Sequence, residues 1–250
     1  REVRLNVVLQ ASKRVKKPSP ERGVCNALYN KCKLWNSNSF RRMAASVRNF
    51  LSEFTLRKVA EANFPSQFGQ FRIYGFEGWT GDTVEEAVVL RIGDVSSSGN
   101  TPLVRIHSQC LTGDVFHSLR CDCRAQLELA IDQIAREGRG LLIYEHQEGR
   151  GIGLINKLRA YELQDQGRDT VEANVELGFE PDLRNYALPV AILKWFGVQQ
   201  VRLLSNNPEK VAALENAGIE VVERAPIVVP PVATTEEYLR TKREKMGHLF

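Results

Sequence analysis

The sequence predicts an α/β fold: a mixed, partly parallel sheet with helices on both faces. Three observations point there. Strand-like segments alternate with stretches of helical periodicity over residues 57–250. The strand-like run GRGLLIYEH is apolar at successive positions, as strands covered on both faces are. Loops rich in polar and glycine residues follow those strands, which is where open α/β sheets place ligands.

In chain order, QFRIYGF and EAVVLRIG read as strands, and SSSGN marks a turn. TPLVRIH is a third strand that delivers Arg105 and His107 to its C-terminal end. Asp122 is placed to cap the next helix, in which Leu127, Ala130, Ile131 and Ile134 share one face at i, i+3, i+4 and i+7. GRGLLIYEH then runs into QEGRGIGL and a helix, NKLRAYELQDQG, ended by Gly167. DTVEANVELGFEPDLRN reads as a polar loop, and YALPVAILKWFG as an apolar helix with Pro189 in its first turn. QQVRLLSNN is a strand, Asn207 caps a helix opened by Pro208 and closed by Gly218, and GIEVVERAP is a last short strand. From VVPP onward the chain reads as irregular, then helical and charged around YLRTKREKM.

A chain of 250 residues with 43% hydrophobic content can bury a sizeable core. No apolar run approaches the ~20 residues needed to cross a bilayer, and the first residues lack the pattern of a secretory signal. A membrane partner is therefore not expected, and a cytoplasmic location is, with organellar import left open. The net charge of +4 is uneven, because residues 1–42 carry eleven Lys or Arg against two Glu. Residues 1–56 read as a basic, poorly ordered N-terminal extension, and 57–250 as the catalytic domain. The basic segment reads as an organelle presequence, a nucleic-acid-binding arm, or residues upstream of a start at Met43. Cys25 and Cys32 read as free thiols.

The most informative motif is C-x10-C-x-C, formed by Cys110, Cys121 and Cys123 beside His107, His117, Arg105, Arg120 and Arg124. Thiols set among cations and imidazoles suit a metal better than a core. Three ligands leave one tetrahedral position open, the arrangement of hydrolytic zinc. Two other readings stand beside it. One is a disulfide, which a chain of five cysteines without a signal peptide disfavours. The other is a structural zinc, closed by His107 or His117.

Four further features carry chemistry only when pooled. QEGRGIG has three glycines around Arg150 at a strand-to-helix turn, fit for a phosphate but equally a tight turn. Ser205 and Lys210 flank a helix start, an anion site or ordinary capping. Asp182 and Arg184 are a surface ion pair by default, and Tyr161 a packing tyrosine. Together with three thiols they describe hydrolysis of a polyanion.

The stretches RIHSQCLTGDVFHSLRCDC, YEHQEGRGIGLINKLRAYELQDQGRDTVEAN, LGFEPDLRNYAL and RLLSNNPEK together resemble GTP cyclohydrolase II, the enzyme that opens riboflavin biosynthesis. The likeness runs from about residue 57 to the C-terminal KMGHLF. It implies hydrolysis of GTP to formate, pyrophosphate and 2,5-diamino-6-(5-phosphoribosylamino)pyrimidin-4(3H)-one, with one Zn²⁺ per subunit, Mg²⁺ on the GTP phosphates, and a homodimer. Carried over by the resemblance, Cys110, Cys121 and Cys123 are the zinc ligands. Arg105, Ile106, His107, Ser108, Gln109, Gln126, Glu148, Gly149, Arg150, Thr170, Ser205 and Lys210 are the nucleotide contacts. Asp182 is the proton acceptor and Arg184 the nucleophile at the α-phosphate, although a guanidinium is chemically better suited to clamp a phosphate than to attack one. Tyr161 serves ring opening. Gln109 stands where the family usually has Glu, and Ser205 where Thr is common. A relative that stops at a formylated intermediate and a silent zinc- and nucleotide-binding module with a nucleic-acid arm are the alternatives.

Overall fold

Alternating side chains set the frame. In a computed structural model, which describes residues 2–5, 54–96, 101–230, 240, 243, 244 and 247, eight strands form one sheet. They are β1 (Glu2–Leu5), β2 (Phe54–Ser66), β3 (Gly69–Thr80), β4 (Thr83–Ile92), β5 (Leu103–Ser108), β6 (Gly140–Glu145), β7 (Gln200–Leu204) and β8 (Glu220–Ala225), in the order β1-β2-β3-β4-β6-β5-β7-β8. β1 to β4 and the β4–β6 pair are antiparallel, whereas β6, β5, β7 and β8 run parallel. The expected mixed, partly parallel sheet is thus observed.

Helices cover both faces. Val104 and Ile106 of β5, with Leu141 and Ile143 of β6, point to a core formed with α5 (Ala187–Trp195) and α6 (Pro208–Asn216). Every residue of α5 from Ala187 to Leu193 is buried, which explains why that segment is apolar all round. The intervening Leu103 and Leu142 face the other way, onto Ala130 and Ile134 of α2 (Cys123–Glu137). Gly140 is required where β6 meets β5, because a Cβ there would lie 2.3 Å from the Leu103 carbonyl oxygen.

Four local readings need correction or extension. The segment read as a polar loop contains α4 (Thr170–Glu176), opened by a capping box in which Asp169 and Glu172 satisfy each other's backbone N–H groups. A one-turn helix, α1 (Leu111–Asp114), follows the first cysteine. Asp122 does precede α2, yet its side chain accepts from Gln126 Nε2 and makes no capping bond. Within the segment expected to be poorly ordered, Glu2–Leu5 pairs with β2, and β2 itself starts at the buried Phe54. The rest of the basic extension, Cys25, Cys32, most of SSSGN and most of the C-terminal stretch lie outside the described residues.

Parallel pairing puts the C-terminal ends of β5, β6 and β7 on one rim of the sheet. The loops after them carry the predicted chemistry.

Candidate active site

Residues after the three parallel strands converge on one cleft. From β5 and the segment after it come Arg105, His107, Ser108, Gln109, Cys110, Arg120 and Cys121, and from α2 Cys123 and Gln126. Past β6 come Gln147, Glu148, Gly149 and Arg150, followed by Lys157, Tyr161 and Gln164 of α3 (Leu154–Asp165). Thr170 and Asn174 of α4, Arg184, and the Ser205–Asn207 turn with Lys210 also line it, with Ile152 and Ala160 as its apolar members.

Two expected residues stay outside it. Ile106 is fully buried among the α5 core, because its neighbours Arg105 and His107 face the cleft and strand side chains alternate. Only its carbonyl takes part, accepting from Lys210 Nζ at 2.8 Å. Asp182 does not line the cleft but grips Arg184, which does: Arg184 Nε donates to both carboxylate oxygens at 2.9 and 3.1 Å, and Nη2 donates to one of them as well. Burial works against the Arg184 charge, but the Asp182 hydrogen bond together with the nearby Asp182, Tyr186 and Glu145 charges outweighs it and raises the pKa above the usual arginine range. On Asp182, burial pulls upward and the guanidinium pulls the carboxyl below its usual pKa.

The three thiols form one cluster. Their sulfurs all lie within 4.8 Å of one another, with Cys110 and Cys121 3.7 Å apart, so no disulfide joins them. Gly113 makes room for them, since a Cβ there would sit 2.9 Å from Cys121 Sγ and 3.1 Å from Cys110 Sγ. Left to themselves the thiols do not share charge evenly. Hydrogen bonds from Cys121 and Cys123 drive Cys110 far below the usual thiol range, and Cys121 is pushed up to about 11 by its bond to Cys110. Cys123 is raised well above it by hydrogen bonds to Cys110 and Cys121. A soft divalent cation is the species that lets three crowded thiols ionise together, and the donor set fits zinc.

No histidine joins this cluster among the described residues. His117 is exposed, with a left-handed backbone (φ 57°). His107 is buried, and its Nε2 faces the Asp114 carboxylate at 3.2 Å, while Tyr144 and the Cys110 N–H donate to the same carboxylate at 2.8 and 3.0 Å. Burial lowers the His107 pKa, against the pull of the Asp114 carboxylate. Asp114 thereby fixes both the imidazole and the backbone of the first cysteine.

The glycine-rich turn is strained where it meets the cleft. It forms a 3-10 turn over Glu148–Gly151 with Gly149 and Arg150 both left-handed, at φ 61° and 63°. For arginine this conformation costs on the order of 1–3 kcal/mol. Both terminal nitrogens of Arg150 are buried without a protein partner. Glu148, by contrast, is fully engaged, accepting from Leu111 N–H at 2.7 Å, Gly149 N–H at 2.8 Å and Lys157 Nζ at 2.7 Å.

Arg105 spans the cleft floor, donating to the Leu204 carbonyl at 2.9 Å and to Gln126 Oε1 at 2.8 Å. Burial lowers its pKa to about 10. Among the described residues, six basic side chains line the cleft: Arg105, Arg120, Arg150, Lys157, Arg184 and Lys210. Such a cleft fits a polyanion.

The sequence model of the GTP cyclohydrolase II family matches residues 57–226. The chain belongs to the GTP cyclohydrolase II family. Similar proteins include the GTP cyclohydrolase-2 of Escherichia coli O9:H4 strain HS and that of strain K12 / DH10B. Each is 56% identical over 196 residues, covering 78% of this chain and 98% of the relative. Among solved structures, a two-domain 3,4-dihydroxy-2-butanone 4-phosphate synthase from A. baumannii superposes with a TM-score of 0.40 and 15% identity, over 70% of this chain and 40% of that one.

Within this family member, sequence reasoning missed Lys157, Gln147, Gln164, Asn174 and Asn206. One signal was readable: Lys157, Tyr161 and Gln164 recur at i, i+4 and i+7, so the helix face that presents Tyr161 presents the other two.

Proposed function

We propose that the chain hydrolyses GTP to 2,5-diamino-6-(5-phosphoribosylamino)pyrimidin-4(3H)-one, formate and pyrophosphate, with one Zn²⁺ on Cys110, Cys121 and Cys123 and Mg²⁺ on the phosphates. The observation that carries this reading is the meeting, in one cleft, of three thiols with unpartnered or buried cations. When bound, zinc supplies a Lewis acid at the thiol end of the cleft.

The remaining chemistry belongs to the protein's own side chains. Arg150, Arg184 and Lys210 would receive the triphosphate, and Arg150 has both ends free for a bidentate contact. Arg184 is held protonated by Asp182, which favours a role in stabilising charge at the α-phosphate over nucleophilic attack. Asp182 then orients that guanidinium. Tyr161, hydrogen-bonded to Thr112 at 3.0 Å beside the thiols, would orient water or the opening ring. Arg105, His107, Ser108, Gln109, Gln126, Glu148, Gly149, Thr170 and Ser205 frame the nucleotide, with Glu148 acting through its grip on the turn. Reduced thiols need a reducing compartment, which supports a cytoplasmic setting. A homodimer is the assembly carried over from the resemblance.

The test is incubation of the full chain with GTP, Zn²⁺ and Mg²⁺, with formate, pyrophosphate and the pyrimidine followed by mass, alongside Cys121→Ser. Wild type should form all three, and the variant should release pyrophosphate while leaving the imidazole ring closed. A zinc-loaded wild type that forms none of them, or a product that keeps the formyl group, would overturn the assignment.

A further inference from the structure

Lys157 reaches the thiol cluster from the side. Its Nζ donates to Cys110 Sγ at 3.2 Å and to Glu148 Oε1 at 2.7 Å. The lysine side chain is 11% exposed and the glutamate 8%, so both contacts lie where solvent screens little. The other Glu148 oxygen accepts from the N–H of Leu111, the residue after Cys110. A closed circuit results, running from the first thiol through the lysine and glutamate back to the backbone beside that thiol.

The circuit answers a charge problem. Three thiolates around a divalent cation leave one net negative charge, whereas catalytic zinc sites built with neutral imidazoles do not carry that surplus. A cation surrounded by excess negative charge is a poorer electron acceptor. Because Glu148 balances the lysine's charge, the ammonium acts locally: its charge-assisted N–H···S contact draws density from the Cys110 sulfur. Lys157 also lies 5.8 Å from the centre of the Tyr161 ring, within cation–π range.

We propose that Lys157 is a positioning residue of the metal centre: it holds the Cys110 sulfur, lowers that sulfur's electron donation through a charge-assisted hydrogen bond, and through Glu148 ties the glycine-rich turn to the metal loop. The inference rests on reading the three thiols as a metal site. Lys157 acts on the reaction only through Cys110 and Glu148. Its sequence position, four residues before Tyr161 on α3, places both side chains on the face turned to the thiols.

Cobalt(II) substitution of the full chain tests it without relying on turnover alone. In Lys157→Met the sulfur-to-cobalt charge-transfer absorption should move to lower energy, because one sulfur has lost its hydrogen bond. With zinc, kcat should fall on the order of 10–100-fold, while KM for GTP changes by less than about threefold. Lys157→Arg should recover most of both effects. An unshifted cobalt spectrum in Lys157→Met would overturn the proposal whatever the rate does, and so would a loss confined to KM. Lys157→Gln keeps a neutral N–H donor and serves if the methionine variant does not fold. Its kcat must then lie below that of Lys157→Arg, and the reverse order overturns the proposal. Failure of wild type to bind cobalt or zinc would sink the metal reading itself, which separates the two.

Discussion

The hydroxyls of Tyr161 and Thr112 meet at 3.0 Å, joining α3 to the one-turn helix that follows the first cysteine. Thr112 Oγ1 lies 3.8 Å from Cys110 Sγ, and the Arg120 guanidinium covers the Tyr161 ring at 4.8 Å. The phenol is therefore fixed against the thiols and kept protonated, since burial raises its pKa. Tyr161→Phe should slow formate release on the order of 100-fold and leave bound zinc and Tm unchanged. Thr112→Val should cost about tenfold, as loss of an orienting partner does. Equal zinc loss in both variants would mark the pair as structural only.

Gly113 gives a second, sharper test of the thiol cluster. A Cβ at this position meets two sulfurs at 2.9 and 3.1 Å and the Cys123 Cβ at 3.2 Å. Gly113→Ala should keep the far-ultraviolet spectrum of wild type and hold less than one zinc per chain by elemental analysis. Full zinc occupancy in this variant would mean that the loop yields more easily than the contacts suggest.

Lys210 should make nucleotide binding depend on pH. Burial, with Arg184 and Arg105 adding to it, holds its pKa well below the ordinary value of about 10.4. A depressed folded pKa means that the neutral amine favours the fold, a contribution present above the unfolded pKa and lost as pH falls through the folded one. A triphosphate favours the charged form, so binding between those two values should take up protons. Calorimetry in buffers of different ionisation heats should show that uptake, and Lys210→Met should abolish it and weaken binding. Absence of uptake in wild type would mean that the ammonium is already charged in the empty cleft.

Stability should depend on the α5 face far more than on the cleft helices. Leu188 is 1% exposed, packed between α5 and the sheet. Leu188→Ala should cost about 2–5 kcal/mol by urea denaturation, whereas Leu158→Ala, at 42% exposure on α3, should cost less than about 0.5 kcal/mol. Similar losses at both sites would mean that the α3 surface is covered in solution.

Legibility in the sequence followed the range of the signal. Period-two runs such as EAVVLRIG and the apolar helix around Leu188 announce themselves, because burial on one or both faces dictates residue type over many positions. The thiol triad was legible for the same reason, as few other uses suit three cysteines among cations. The capping box of Asp169 and Glu172 was written in the chain but lay inside a segment judged by its polarity. Ile106 came with the nucleotide-contacting segment that the resemblance implies, and strand alternation turns its side chain into the core while its carbonyl meets Lys210. Spacing puts Lys157 on the helix face of Tyr161, but its contact with Cys110, 47 residues away, left no mark in the sequence.

The β2–β3 turn at Ser66–Gly69 lies at the end of the sheet away from the C-terminal ends of β5, β6 and β7. Ser66 closes that turn by accepting from Phe68 N–H and donating to the Gly69 carbonyl, and Gln67 at its tip is exposed. This geometry gives the molecule a handle. A chain tethered to a surface through Gln67 would present its cleft outward to a flowing solution, with the whole length of the strands between the anchor and the chemistry.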